Sequence, residues 1–184
     1  KAVVYLCAIA GALSAFLILG QLFGENSGLP RFDAVEVGSY ELMLLLPLAL
    51  AGMVCGWVFH AANKGTMCLS HAMGNRPVAK AVLAGVVLAI CGMALPYTMF
   101  AGESQAHCLM EGYSALPAAV LITTGFVKCA LTPTCLNLGW RGGHFFPVIF
   151  SGVSLGYGFA LLTGAAPAFC VAACTSALMG AVMR

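Results

Sequence analysis

Residues 136–147 read Leu-Asn-Leu-Gly-Trp-Arg-Gly-Gly-His-Phe-Phe-Pro, and residues 148–158 continue Val-Ile-Phe-Ser-Gly-Val-Ser-Leu-Gly-Tyr-Gly. The stretch is a glycine-rich break between two apolar segments. Gly142 and Gly143 allow backbone conformations that a side chain would forbid. Pro147 suits the first turn of a helix, because the N–H that proline lacks has no partner there. We therefore predict a helix over residues 147–162 that begins directly after a glycine-rich turn.

This turn has the features of an anion site. The backbone amides that precede the predicted helix should point out of its N-terminus, with the positive end of the helix dipole behind them. Membrane transporters use broken helices to aim such ends at the middle of the bilayer. The sequence thus predicts an anion site at six consecutive residues: Gly142, Gly143, His144, Phe145, Phe146 and Pro147.

The composition indicates an integral membrane protein. Hydrophobic residues make up 61% of the chain and charged residues 8%, whereas soluble proteins have roughly 45–50% and about 25%. The net charge of +2 is too small to indicate nucleic acid as a partner. No hydrolase, metalloprotease or nucleotide-binding motif occurs, so we predict that the protein is not an enzyme.

Apolar runs and turn residues predict an all-α, multi-span helical bundle with broken and re-entrant helices, forming one domain over residues 1–184. Gly52 and Gly56 lie one helical turn apart and predict a close helix contact. Lys64, Arg76 and Lys80 share one polar linker, which predicts that this side faces the cytoplasm. The predicted helices cover residues 2–23, 40–63, 77–95, 116–138, 147–162 and 168–179, with a short re-entrant segment at 108–115.

The stretch at residues 136–158 and the segments around it resemble the CLC family of voltage-gated chloride channels and chloride/proton antiporters. Its helix N opens with Gly-Gly-Ile-Phe-x-Pro, which residues 142–147 match, except that His144 replaces the aliphatic residue. Residues 128–134 resemble the end of the family's helix M, and residues 172–184 a later small-residue helix. Residues 1–4 resemble the start of helix I. The resemblance covers the second half of a CLC subunit, the C-terminal half of its inverted repeat.

The resemblance implies transport of an inorganic anion, chloride, across the inner (plasma) membrane, with no cofactor besides the transported ion. It also implies three partners: the lipid bilayer, the N-terminal half of the subunit, and a second copy in a homodimer. In that dimer the helix over residues 2–23 would form part of the interface, where Ala8, Gly11, Ala12 and Ala15 permit close contact.

Some family features have no match in the chain. The gating glutamate motif, Gly-(Lys/Arg)-Glu-Gly-Pro, is absent, and the inner-gate tyrosine would lie beyond Arg184. We therefore expect the chain to be a fragment cut at both ends. Channel and proton-coupled exchanger both remain open. Fluoride is an alternative substrate, because Trp140 and Arg141 before the two glycines are similar to the fluoride-handling branch, although that branch has an acid at the position of His144.

Single residues near the motif have two interpretations each. Lys128 and Arg141 are candidate pathway charges that raise the anion concentration, or helix-end bases that reach the membrane interface. The His144 side chain either packs against neighbours while its amide serves the site, or titrates beside the anion path. Phe145 and Phe146 either wall the pathway or only pack.

The nine cysteines lie mostly in apolar runs and are interpreted as small buried side chains instead of a disulfide framework. Cys170 and Cys174 are one helical turn apart and could share a face. A membrane redox or metal protein is therefore the alternative from a different functional class. No histidine lies near this pair in sequence, so we predict no metal site.

Overall fold

The structure, a computed structural model, describes residues 38–183 without a break and, before them, Cys7, Gln21 and residues 9–11, 13–15 and 17–18. The chain divides into two compact units, residues 1–31 and 32–184. The described residues of the first unit are helical, and their large apolar side chains, such as Leu13 and Leu17, are exposed. Ala8 and Ala12, two of the small residues predicted to form a dimer contact, lie outside the described residues.

Between residues 38 and 183 the second unit is helical and contains no strand. The α-helices of this range are α1 (Ser39–Ala72), α2 (Pro77–Ala94), α3 (Glu103–Gly112), α4 (Ala118–Asn137), α5 (Phe145–Thr163) and α6 (Pro167–Val182). Two 3₁₀ turns, Pro96–Thr98 and Tyr113–Ala115, precede and follow α3. Four of its helices, α1, α2, α4 and α5, are long and apolar enough to cross a membrane. The predicted all-α membrane architecture is therefore confirmed.

Helix α1 continues to Ala72 instead of ending near residue 63, so the predicted linker is wrong for residues 64–72. The polar residues there do not break the helix, and the Thr66 hydroxyl donates to the carbonyl of Ala62 in the same helix at 2.6 Å. The first strong breakers are Gly74 and Pro77. At 34 residues, α1 is roughly 51 Å long, against about 30 Å of hydrocarbon. Its length therefore allows its polar end to extend beyond the membrane core.

The other helices differ from the prediction by smaller amounts. Helix α3 begins at Glu103, upstream of the predicted re-entrant segment at 108–115, and the 3₁₀ turn Tyr113–Ala115 completes that stretch. Helices α2, α4 and α6 differ by one to three residues at their ends, where hydrogen-bond patterns fray. Helix α5 begins at Phe145, before the predicted start at Pro147.

Glycines form the close contacts between helices in this unit. A Cβ atom on Gly52 of α1 would lie 2.7 Å from the carbonyl oxygen of Cys174 on α6, closer than real contacts allow. A Cβ on Gly152 of α5 would lie 2.6 Å from the Cα of Thr175, also on α6. Small residues let backbones approach in this way, where apolar burial alone does not drive association. The helix contact predicted at Gly52 and Gly56 is confirmed.

The cysteines occupy several environments, and all nine are free thiols. Cys55, Cys129, Cys170 and Cys174 are buried, as predicted, whereas Cys7, Cys68 and Cys108 are exposed and Cys91 and Cys135 are half-buried. Within the described part of the chain, no group of three or more histidine, cysteine or acidic side chains is arranged to hold a metal ion. Burial of the four core thiols follows from the packing of α1, α4, α5 and α6 on one another.

Candidate functional site

The predicted anion site lies between α4 and α5, and the end of α4 determines how the chain enters it. Gly139 has a φ of 98°, in the left-handed region that favours glycine. The Trp140 amide donates to the Cys135 carbonyl at 3.0 Å, and the Gly139 amide to the Leu136 carbonyl at 3.2 Å. This pair of hydrogen bonds is a Schellman motif, which ends a helix and turns the chain sharply. Residues 138–144, called the site loop below, start from this motif.

The backbone role predicted for Gly142 and Gly143 is wrong. Neither glycine has a positive φ, so Gly139 provides the conformation that was assigned to them. A Cβ on Gly143 would meet no atom within 4 Å, and one on Gly142 would meet only a methyl of Leu136 at 4.0 Å. Their small size therefore leaves open space beside the chain and is not required by the fold.

Helix α5 starts with unpaired backbone donors. His144 is its N-cap and makes no side-chain capping bond, and Pro147 is the third residue of the helix. The amides of residues 142–146 donate no hydrogen bond to any described residue. Proline has no N–H, so Pro147 costs the helix nothing in its first turn, where donors have no helical partner. The N-terminus of α5 thus carries a group of free amides with the positive end of the dipole behind them.

A cavity of about 350 Å³ is lined by Gly142, Gly143, Phe145 and Phe146, four of the five residues that carry these amides, and not by His144. Its wall contains glycine backbone, aromatic rings and two cations, Lys128 and Arg141, and no acidic residue. Aromatic rings from Phe145 and Phe146 meet edge-on, with ring centroids 5.7 Å apart. The lining residues are Leu88, Thr98, Phe100, Ala101, Lys128, Leu131, Thr132, Cys135, Leu136, Trp140, Arg141, Gly142, Gly143, Phe145, Phe146 and Pro147.

Lys128 is only 4% exposed although it lies in the membrane-spanning helix α4. Its ammonium donates to the carbonyl of Thr98 at 2.7 Å, to that of Met99 at 3.3 Å and to that of Phe100. It also lies 5.9 Å from the ring centroid of Phe150, within cation–π range. An ammonium has three donors, and all three are used here. Lys128 can therefore attract an anion through its charge, although none of its N–H groups is available to bind the anion directly.

The turn at residues 98–100, which accepts the hydrogen bonds of Lys128, has an unusual backbone conformation. Phe100 has a φ of 57°, the only positive value among non-glycine residues in the described part of the chain. Such a conformation persists only where its surroundings hold it. The three carbonyls form a socket for the ammonium, and Lys128 in turn holds residues 98–100 as one wall of the cavity.

Arg141 is exposed beside the cavity, whose lining contains no acidic residue. Its neighbour Trp140 is anchored, because the indole Nε1 donates to the carbonyl oxygen of Ala81 on α2 at 3.1 Å. The anchored ring holds the middle of the site loop against α2. The guanidinium keeps its five donors free for a bound anion.

The His144 side chain lies outside the cavity lining, in contrast to the residues on either side of it. Its ring lies against Phe59 of α1, with centroids 6.3 Å apart. The structure therefore brings seven of the eight predicted site residues to one cavity, whereas His144 does not line it and its ring lies against Phe59. Two features of the site were not predicted. Gly139 could have been recognised, because a glycine just after an apolar helix is a common helix end. The contact of Lys128 with residues 98–100 has no signal in the sequence.

Comparison with known proteins shows the family of the chain. The family model described as "Voltage gated chloride channel" matches residues 2–184. The chain is 29% identical to "Putative ion-transport protein YfeO" of Salmonella newport, over 97% of this chain and 42% of the relative. It is 27% identical to the protein of that name from Escherichia coli, over 97% of this chain and 41% of the relative.

The chain thus spans less than half the length of these relatives. No solved structure is significantly similar to it. The family match extends over nearly every residue, including the glycine-rich turn, the socket lysine and the free amides of α5. The chain belongs to the voltage gated chloride channel family.

Proposed function

We propose that this chain carries an anion-binding segment of a transport protein that moves chloride across the inner (plasma) membrane. The observation that supports this most directly is the group of unpaired amides at residues 142–146 beside a cavity with two cations and no acid. Membership of the family and the printed name of the relatives point to ion transport. No step requires a cofactor or an enzymatic reaction.

The proposed site binds the anion mainly through backbone groups. Amides at a helix N-terminus stabilise negative charge, and the positive end of the helix dipole adds to this field. Arg141 can donate directly, while Lys128 adds positive potential from its socket. The ligands would be the amides of Phe145 and Phe146, whose residues line the cavity, and that of His144 directly before them in the chain, with Gly142 and Gly143 leaving room for the ion to approach.

The 184 residues cover 42% of the relative's length, so we propose that they act as part of a longer subunit. The rest of the pathway, including any gating group, would come from that remainder. Whether the whole protein is a channel or a proton-coupled exchanger can be determined by measuring proton movement together with chloride flux.

Fluoride is the second candidate substrate. Trp140 and Arg141, which suggested it from the sequence, both line the cavity, and Trp140 is fixed there by its bond to Ala81. A small, strongly hydrated anion would need more direct donors than chloride, and Arg141 could provide them. Parallel efflux of fluoride and chloride from the same vesicles distinguishes the two.

The transport proposal predicts chloride efflux from liposomes that contain the full-length protein, measured with a chloride electrode. Liposomes that contain only residues 1–184 should release no more chloride than protein-free vesicles, because the remaining part of the pathway is missing. Lack of efflux of both chloride and fluoride from the full-length protein would contradict the proposal. Efflux from the 184-residue chain would show that one segment, or several copies of it, forms a complete pathway.

We also propose a homodimer in which the helix over residues 2–23 contributes to the interface through its small residues. A cysteine placed at Ala12 in a full-length protein lacking its other cysteines should form a crosslinked dimer with a short bis-maleimide in native membranes. A cysteine at Lys64, which is exposed at the polar end of α1, provides the control. A product that stays monomeric from several positions on the first helix would contradict this interface.

A further inference from the structure

A polar cluster joins the end of α4 to α1, beside the start of the site loop. Asn137 is the last residue of α4, and its Nδ2 lies 2.8 Å from the Oδ1 of Asn63, 2.9 Å from the Oγ1 of Thr66 and 3.1 Å from the carbonyl oxygen of Asn63. All three side chains are half-buried. One amide group therefore meets three acceptors on a single neighbouring helix.

The direction of these hydrogen bonds follows from the chemistry of the partners. Both oxygens of Asn63 can only accept, so the group that faces them must be the NH₂ of Asn137. The Thr66 hydroxyl has already donated its hydrogen to the Ala62 carbonyl at 2.6 Å, so its oxygen accepts from Asn137. The NH₂ of Asn137 has two hydrogens for three acceptors, so one N–H is shared between two of them. Only this orientation of the Asn137 amide presents donors to all three acceptors, which makes the cluster a specific attachment point.

The same face of α1 contacts both ends of the site loop. Phe59, Asn63 and Thr66 are spaced by four and three residues and so lie on one stripe of the helix. Phe59 packs against the ring of His144 at the loop's end, while Asn63 and Thr66 hold Asn137 just before its start. Thr66 belongs to the part of α1 that the sequence predicted to be a linker.

We infer that Asn63, Thr66 and Asn137, the positioning cluster, set where the free amides of residues 142–146 lie relative to Lys128 and Arg141. This inference rests on the proposed function, because it assigns the cluster a part in anion affinity. The cluster does not line the cavity and would not touch the ion. It acts by holding the point at which the loop leaves α4, and small displacements of binding groups weaken interactions that depend on geometry.

Four variants of the full-length protein test this inference through the chloride dependence of efflux. Asn137→Leu keeps the volume and removes the donors, and Thr66→Val removes one acceptor while leaving the other contacts. We expect Asn137→Leu to raise the half-saturating chloride concentration by about tenfold or more, with little change in the maximal rate per folded protein. Thr66→Ser, which keeps the acceptor, should restore most of the affinity that Thr66→Val loses.

Thr134→Val is the matched control. Thr134 also lies near the end of α4, but its hydroxyl donates only to the Ala130 carbonyl in its own helix, at 2.7 Å. An unchanged half-saturating concentration in Asn137→Leu and Thr66→Val would overturn the inference. So would an equal increase in Thr134→Val, since the effect would then report general loss of helix stability.

A second measurement does not depend on transport. In a protein whose only tryptophan is Trp140, fluorescence quenching by iodide reports the exposure of the site loop. Asn137→Leu and Thr66→Val should increase quenching by iodide and by neutral acrylamide, whereas Thr134→Val should not. If the wild type transports no anion, the proposed function fails, and this measurement still decides whether the cluster holds the loop. Unchanged quenching in both cluster variants would overturn the inference.

Discussion

Replacing Gly143 with valine should lower chloride affinity in the full-length protein by about 10- to 100-fold, the value of one or two charge-assisted hydrogen bonds. The loss of affinity would come from the ion's access to the amides and not from strain in the chain. Gly143 has no positive φ, and a Cβ there meets no atom within 4 Å, so the chain can accept the side chain without strain. The added methyl groups would instead occupy space beside the free amides and keep the ion away from them.

His144→Ile is the comparison variant and should change affinity by less than about threefold. It keeps the backbone amide, and His144 makes no capping bond that the substitution could remove. Its ring lies against Phe59, where isoleucine can make an apolar contact in its place. The measurement is chloride binding by isothermal titration, together with efflux from liposomes.

Gly143→Ala should fall between the wild type and Gly143→Val, because it adds one methyl group. All three variants should unfold at nearly the wild-type temperature, which separates loss of the site from loss of the fold. Suppose that His144→Ile abolishes binding while Gly143→Val has no effect. The histidine side chain, and not the backbone, would then be the ligand, and the assignment of the site would be wrong.

Lys128→Met is the second change with a large expected effect, in this case on stability. The variant keeps most of the side-chain volume but leaves the carbonyls of Thr98, Met99 and Phe100 without their donor. The Thr98 carbonyl is buried, and an unpaired buried acceptor costs about 1–3 kcal/mol, whereas Phe100 is exposed and water can replace the ammonium there. We therefore expect the free energy of unfolding in detergent to fall by about 1–3 kcal/mol, and residues 98–100 to lose their fixed position.

Lys64→Met is the control, because it makes the same chemical change at an exposed position of α1. It should leave the unfolding transition nearly unchanged. Lys128→Arg keeps the charge but replaces a compact ammonium by a planar fork, so it should be intermediate. Equal stability of Lys128→Met and the wild type would show that the socket contributes nothing to the fold.

Local chemistry was sufficient to predict the class of the protein and the helix start beside its candidate site. Long apolar runs with few charges predict membrane helices wherever they occur, and the glycine-rich turn leads into helix α5, whose first amides have no helical partner. The close contact of Gly52 and Gly56 was also predictable, because small residues one turn apart present a flat surface to a neighbour. Each of these features depends on residues close together in the chain.

The finer assignment of roles depends on contacts between distant residues. Lys128 meets a carbonyl 30 positions away, and Asn137 meets Asn63 across 74 positions. No local pattern shows that the Lys128 ammonium donates all its hydrogen bonds to the turn at residues 98–100. Nor does any local pattern show that the His144 ring lies against Phe59 while the residues on either side of it line the cavity. These arrangements follow from how α1, α4 and α5 pack, because packing brings together groups that the chain order keeps apart.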